Sequence, residues 1–218
     1  MTPLEVADAA RREYNVASGD TFFSDTQLYE WLYAAEVELC KKTMIAKQVY
    51  STTTVAGTAE YNYPTNAFAL KNVTYNGYPL RRITFREDDL LTGGDQDSTS
   101  QGDPFGYVDW GQVLYLRPLP DAARTLKMWC YVHPSAVHTA SSSFVIPDEF
   151  HMQLKEYTLA RMCAKNKNYD GYRFYQGLWD NVIAEATEYA RLKERGDNFN
   201  VVQNVDAQET LSLVGYLP

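Results

Sequence analysis

Apolar positions follow a helical period at both ends of the chain and a strand period in its middle. From Ser24 onward, Leu28, Trp31, Leu32, Ala35 and Leu39 recur at i, i+3, i+4, i+7 and i+11, which predicts a helix with one apolar face. Ser24 and Gln27 read as a capping box at its start, and Lys41 and Lys42 near its end complement the helix dipole. Upstream, Thr2 at the N-cap, Pro3 at N1 and Glu5 at N3 predict another helix reaching about Tyr14, broken by NVASGDTFF.

At about Lys47 the texture changes to β-branched and aromatic residues. QVYSTTTVAGTAEYNYP turns at Gly57, and FALKNVTYNGYPLRRITF reads as two strands joined at Asn76-Gly77, where both residues accept positive φ. GYVDWGQVLYLRPLP predicts a hairpin turning at Trp110-Gly111. In its second arm Val113, Tyr115 and Arg117 alternate with Leu114 and Leu116. RTLKMWCYVHP adds one more strand after the PLPD turn. Residues 47–145 are therefore expected to form a β-domain of six or seven short strands. Within it, residues 91–104 (LTGGDQDSTSQGDP) form a long polar stretch without hydrophobic period, the length class of functional or disordered loops.

Helix returns at IPDEFHMQLKEYTLARMCAKN, where Asp148 and Glu149 suit a helix start and Phe150, Leu154, Tyr157 and Cys163 trace one stripe. A longer helix is expected from about Tyr172 to Arg195, with Phe174, Leu178, Trp179, Val182, Ile183, Ala186 and Tyr189 on a broad apolar face, stopped by RGDNFN. The remainder reads as extended. The fold class expected is α+β: N- and C-terminal helices (residues 1–46 and 146–196) forming a helical bundle, an inserted antiparallel β-domain (residues 47–145) and an extended C-terminal tail (residues 197–218).

The 218 residues are 45% hydrophobic, which argues against wholesale disorder. No apolar run reaches the roughly 20 residues of a membrane helix, and the N-terminus has no signal-peptide pattern. A formal net charge of -8 argues against a surface that holds nucleic acid through clustered Lys and Arg, yet suits one that DNA passes without sticking. Cys40, Cys130 and Cys163 lie far apart and are odd in number, so buried, reduced thiols are expected in place of a disulfide framework or zinc site.

Candidate chemistry is sparse. His133 and His138 flank HPSAVH without the i, i+4 spacing of a helical metal pair and read as a solvated loop; His151 sits in the first turn of a helix and needs no ligand. FREDDL, residues 85–90, lacks the alternating ligands of a calcium loop and reads as a charged turn at a strand end. TGGDQD has paired glycines but neither lysine nor strand-to-helix context, and the RGD at residues 195–197 is a three-residue chance match. No catalytic constellation, cofactor or metal site is expected. The abundant aromatics suit half-buried strands and subunit interfaces, or alternatively a platform for stacking sugars or bases.

Three blocks carry a resemblance. GTAEYNYPTNAFALKNVTYNGYPLRRITFREDDL has a turn, Tyr61-x-Tyr63-Pro64, a strand and a glycine turn. GDPFGYVDWGQVLYLRPLPDAARTLKMWCYVHP runs through aromatic strands to Pro118-x-Pro120 and Pro134, and IPDEFHMQLKEYTLARMCAKNKNYDGYRFYQGLW is a helix pair. With the helix from Ser24, these blocks resemble the head-to-tail adaptor proteins of tailed bacteriophages, also called connector or head completion proteins, over about residues 2–195. The acidic residue the family often shows after the Tyr-x-Tyr-Pro block is Thr65-Asn66 here.

The resemblance implies a non-enzymatic structural virion protein at the head–tail interface. It would be made in the host cytoplasm and form a ring, usually of twelve copies, below the portal protein. A tail tube or nozzle protein would dock beneath it. Genomic DNA would pass through without specific binding, and no membrane would be involved. A C-terminal extension docking on the portal would place Val201, Val202, Leu211, Leu213, Val214, Tyr216 and Leu217 at that contact. Trp31, Phe174, Leu178, Trp179 and Val182 are the candidate subunit-interface residues. Fully extended, the ~22 residues after Gly196 would reach roughly 70 Å; folding back on the chain's own helices is the other reading of this tail. The alternative for the whole chain is an aromatic-rich receptor- or carbohydrate-binding module of a virion.

Overall fold

The computed structural model describes residues 1–17, 20–92 and 100–213, with side chains described as far as residue 194. It is a mixed α+β protein. The chain divides into two compact units, Met1–Ile45 with His138–Pro218, and Ala46–Val137.

The helical unit holds α1 (Pro3–Tyr14), α2 (Asp25–Thr43), α4 (Leu154–Lys165) and α5 (Tyr169–Leu213). At the start of α1, Thr2 accepts from the Glu5 amide while Glu5 accepts from the Thr2 amide, the full capping box. Asn15 ends the helix in the left-handed region. Ser24 caps α2 through the Gln27 amide, but the Gln27 side chain turns to Lys165 instead of back to the cap. Helices α1, α2 and α5 each pack on α4, and α2 also packs on α1 and α5. Leu28, Leu32, Ala35 and Leu39 of α2 are buried with Phe150, Leu154, Leu159 and Met162. Each buried leucine contributes about 1.5–3 kcal/mol.

The expected stop of the last helix is corrected. Helix α5 starts at Tyr169 and runs without a break through RGDNFN to Leu213, so residues 197–213 are helical where an extended chain was expected. The physical reason lies in the breaker: Gly196 alone costs about 1 kcal/mol relative to Ala, and no proline intervenes before Pro218. Residues 214–218 lie outside the described residues.

The β unit contains ten strands and one helix among its described residues. Strand β1 (Lys47–Thr53) pairs with β10 (Thr125–Val132), which pairs with β3 (Ala67–Tyr75), which pairs with β4 (Tyr78–Pro79), all antiparallel. A second sheet orders β2 (Glu60–Asn62), β8 (Val113–Arg117), β7 (Gly106–Trp110) and β5 (Arg81–Arg82), with β5 parallel to β7. Two-residue strands β6 (Gln101–Gly102) and β9 (Leu119–Pro120) form a parallel pair. The short β4, β5, β6 and β9 raise the number above the six or seven expected. Asn76 and Gly77 close the β3–β4 hairpin with φ of 50° and 86°. The β7–β8 hairpin turns at Gly111-Gln112, one residue later than the sequence suggested. Gln112 tolerates φ 67° because its carbonyl accepts from Tyr63 N–H and its amide reaches the Ala67 carbonyl.

Residues 85–90 are not a charged turn but the body of α3 (Phe85–Thr92). Thr84 and Glu87 form a capping box at its start, the Glu87 carboxylate accepting from Thr84 N–H and the Thr84 hydroxyl accepting from Glu87 N–H. The Thr84-x-x-Glu87 spacing was the sequence signal for this helix.

Candidate functional site

The candidate interface residues separate by exposure. Trp179 of α5 is fully buried, edge-to-face on Tyr157 of α4 at 5.4 Å, with its indole N–H donating to Glu38 of α2 at 3.4 Å. Val182 lies on the same buried stripe with Ala186 and Ala190. Their area is consumed inside the chain, because a helix that contacts both α2 and α4 turns its widest apolar arc inward. Phe174 stands 62% exposed with Tyr175 against it, and Trp31 and Leu178 are half-buried. The broad face expected on this helix is thus an inner core stripe flanked by an open residue.

Of the tail residues, Val201, Val202, Leu211 and Leu213 fall within α5 with side chains beyond the described ones. Val214, Tyr216 and Leu217 lie outside the described residues, as do residues 93–99 of the polar loop.

The solvated-loop reading of the histidines is corrected. His138 is buried, with Nε2 2.7 Å from the Glu36 carboxylate, and Glu36 is itself completely covered. The other Glu36 oxygen accepts the amides of Val145 and Ile146 at 2.6 and 3.2 Å. Phe144 sits between the rings of His138 and His151, and His151 Nε2 donates to the Ile146 carbonyl at 2.9 Å. The segment leading to α4 is thereby bound to α2 by one buried carboxylate. His133 is half-buried and stacks on Phe68. Short Ser- and Pro-containing stretches resemble surface loops in sequence; the buried carboxylate that claims this one is 102 positions away.

The β unit contains a second buried pair. Arg117, on β8, forks onto Asp88 of α3 with Nε–Oδ1 at 2.6 Å and Nη2–Oδ2 at 3.1 Å, the two side chains 5% and 1% exposed. Bidentate geometry makes this a strong charge-assisted contact. It anchors α3, whose last two residues, Leu91 and Thr92, are helical where the polar stretch 91–104 was expected to begin.

Beside α3 lies an open cleft of about 480 Å³ lined by Arg82, Thr84, Phe85, Asp109 and Trp110. Phe85 and Trp110 meet edge-to-face at 5.0 Å and are 43% and 63% exposed. Asp109 is held by Arg82 and by the Tyr63 hydroxyl. Burial together with this carboxylate pushes the Tyr63 phenol up to about 12.

Cys40, Cys130 and Cys163 are free and buried, as the spacing suggested. Burial raises all three thiols, Cys130 to about 11, which keeps them protonated and unreactive. Among the described residues no group of three or more His, Cys, Asp or Glu could hold a metal ion, and no helix is long and apolar enough to cross a membrane.

Comparison with known proteins adds one match. Residues 1–206 fit the family model for SU10 adaptor protein. No curated protein matches the chain.

Proposed function

Because the chain belongs to the SU10 adaptor protein family, a family of phage head-to-tail adaptors, we propose that its structural role is carried out as a ring at the virion neck. The ring lies beneath the portal, twelve copies being the number usual for such adaptors, and joins the capsid to a tail tube or nozzle protein while the genome passes through. The observation that carries this reading is the family match over residues 1–206. The helical bundle formed by the two ends of the chain is the ring's body. Neighbouring copies meet through the side chains their own chain leaves open, Phe174 with Trp31 and Leu178, in a heterologous interface that closes on itself. Trp179 and Val182 support that interface from inside.

The C-terminal segment bearing Val201, Val202, Leu211, Leu213, Val214, Tyr216 and Leu217 docks on the portal. Its helical conformation to Leu213 favours a helix laid in a groove over an added strand. One such segment binds weakly; many on one ring act together by avidity. The net negative charge keeps DNA sliding through the lumen.

Mixing the purified chain with portal tests the reading. A stoichiometric ring complex is expected, and a chain truncated after Gln208 should stay folded and lose portal binding. Undiminished binding by the truncated chain, or its unfolding, removes the docking assignment. Phe174→Ala should leave stability within about 0.5 kcal/mol and impair ring closure.

The open Phe85–Trp110 pair favours a second reading, a carbohydrate-binding module. Glycan-array binding that Trp110→Ala abolishes would establish it; an array without binders would remove it.

A further inference from the structure

Strand β1 is the outermost strand of its sheet, and its outer edge is seven residues long. The ladder to β10 keeps one register throughout, from Lys47 opposite Tyr131 to Thr53 opposite Thr125. Just beyond the two ends, Val132 N–H donates to the Ala46 carbonyl and Thr54 N–H to the Arg124 carbonyl. In an antiparallel pair only alternate residues bond the partner strand. Ala46 and Thr54 fix the parity: even-numbered residues turn their N–H and C=O groups toward β10, and Val49, Ser51 and Thr53 turn theirs away. All three are exposed, Val49 at 52%.

Folded sheets blunt such edges with charges, prolines, bulges or cover. Lys47, at one end of the outer edge, is the strand's one charge; from Gln48 to Thr54 there is no charge and no proline, and the register is unbroken. Burial contributes little to holding the strand: of its seven residues only Tyr50 is half-covered. Val49 lies directly opposite Trp129 in the ladder, which puts an apolar pair on the face an added strand would extend.

The occupant can be narrowed. Among the described residues the other outer strands, β2, β4, β5, β6 and β9, are two or three residues long, too short to match this edge in a second copy. Pairing of β1 with β1 of another copy would stop at a two-fold dimer and could not propagate around a ring. We infer that β1 is a docking edge for an extended segment of another protein of the neck, added to the sheet as one more strand. That segment is uncharged and proline-free over at least about five residues, and rich in β-branched and aromatic side chains, because those pair best with Val49 and Trp129. The inference rests on the adaptor role.

Residue-level hydrogen exchange on the free chain and on purified virions tests it. In the free chain the amides of Gln48, Tyr50 and Thr52 should be protected and those of Val49, Ser51 and Thr53 should exchange freely. In the virion the outward three should slow at least tenfold. A chain present in the virion with those amides still fast overturns the docking edge alone. A chain absent from the virion overturns the adaptor role and, with it, the partner. Slowing that tracks dimerisation of the free chain assigns the edge to a second copy and also overturns the proposal.

Proline at an outward position removes no ladder bond. Val49→Pro should therefore fold, as judged by its circular dichroism, and enter particles at least tenfold less efficiently. Ser51→Lys, which guards the edge with a charge, should do the same should the proline variant fail to fold. Normal incorporation of a folded Val49→Pro or Ser51→Lys chain overturns the inference.

Discussion

The helical unit and the β unit each bury a carboxylate with its partner, and the two arrangements differ in kind. In the β unit Arg117 and Asp88 are joined by two parallel hydrogen bonds that fix α3 against β8. In the helical unit Glu36 divides its two oxygens between His138 and two backbone amides, so one carboxylate organises an irregular segment. The first device orients a helix; the second replaces secondary structure where none forms. The units also differ in charge. The helical unit has 19 Asp and Glu against 12 Lys and Arg, while the β unit has 9 against 8, so nearly all of the chain's negative excess belongs to the helices.

Removing one partner from each pair separates the two designs. Asp88→Ala takes the carboxylate away from a buried guanidinium and should cost about 3–5 kcal/mol, read by urea denaturation. The double variant Asp88→Leu with Arg117→Met should recover most of that loss, since no charge then stays buried. Glu36→Ala should cost less, about 1–3 kcal/mol for the amides it leaves unsatisfied, with the loss appearing as faster hydrogen exchange at Val145 and Ile146. A loss at Glu36 equal to that at Asp88 would remove the distinction.

The smallest effect concerns Glu156 on α4. One of its oxygens is buried without a hydrogen bond, and desolvation raises its pKa despite nearby Lys155. A carboxyl raised in the folded state favours folding while protonated, and that contribution is lost as pH rises from the unfolded value through the folded one. Glu156→Gln should therefore stabilise the chain slightly at neutral pH and make no difference at about pH 3. Paired melts at the two pH values check the sign.

Local signals were legible in the sequence. The Thr2-x-x-Glu5 box, the Asn76-Gly77 turn and the apolar stripe of α2 all depend on residues a few positions apart, and each appears as expected. Partnerships across the chain were not legible. Asp88 looks like one acid among three until Arg117, 29 positions on, folds over it. Glu36 follows Leu32 by one helical turn on the apolar side of α2, and its partners come from the distant segment from His138 to Ile146. The same limit governs the candidate site: spacing placed Trp179 and Phe174 on one apolar face, and only the packing of α5 on α2 and α4 divides that face into core and open surface.

The ladder between β1 and β10 has a consequence for how such a chain can evolve. The first and last strands of the 92-residue β unit are neighbours, joined at their ends by the bond from Val132 to Ala46. The start of β1 and the end of β10 thus lie about 4.8 Å apart, one strand spacing, five residues before the unit ends at Val137. A module closed in this way occupies the position of a short turn between two helices. Its loops and strands can lengthen, shrink or be exchanged wholesale between lineages, with the helical framework required to conserve only the two points where the chain leaves and returns.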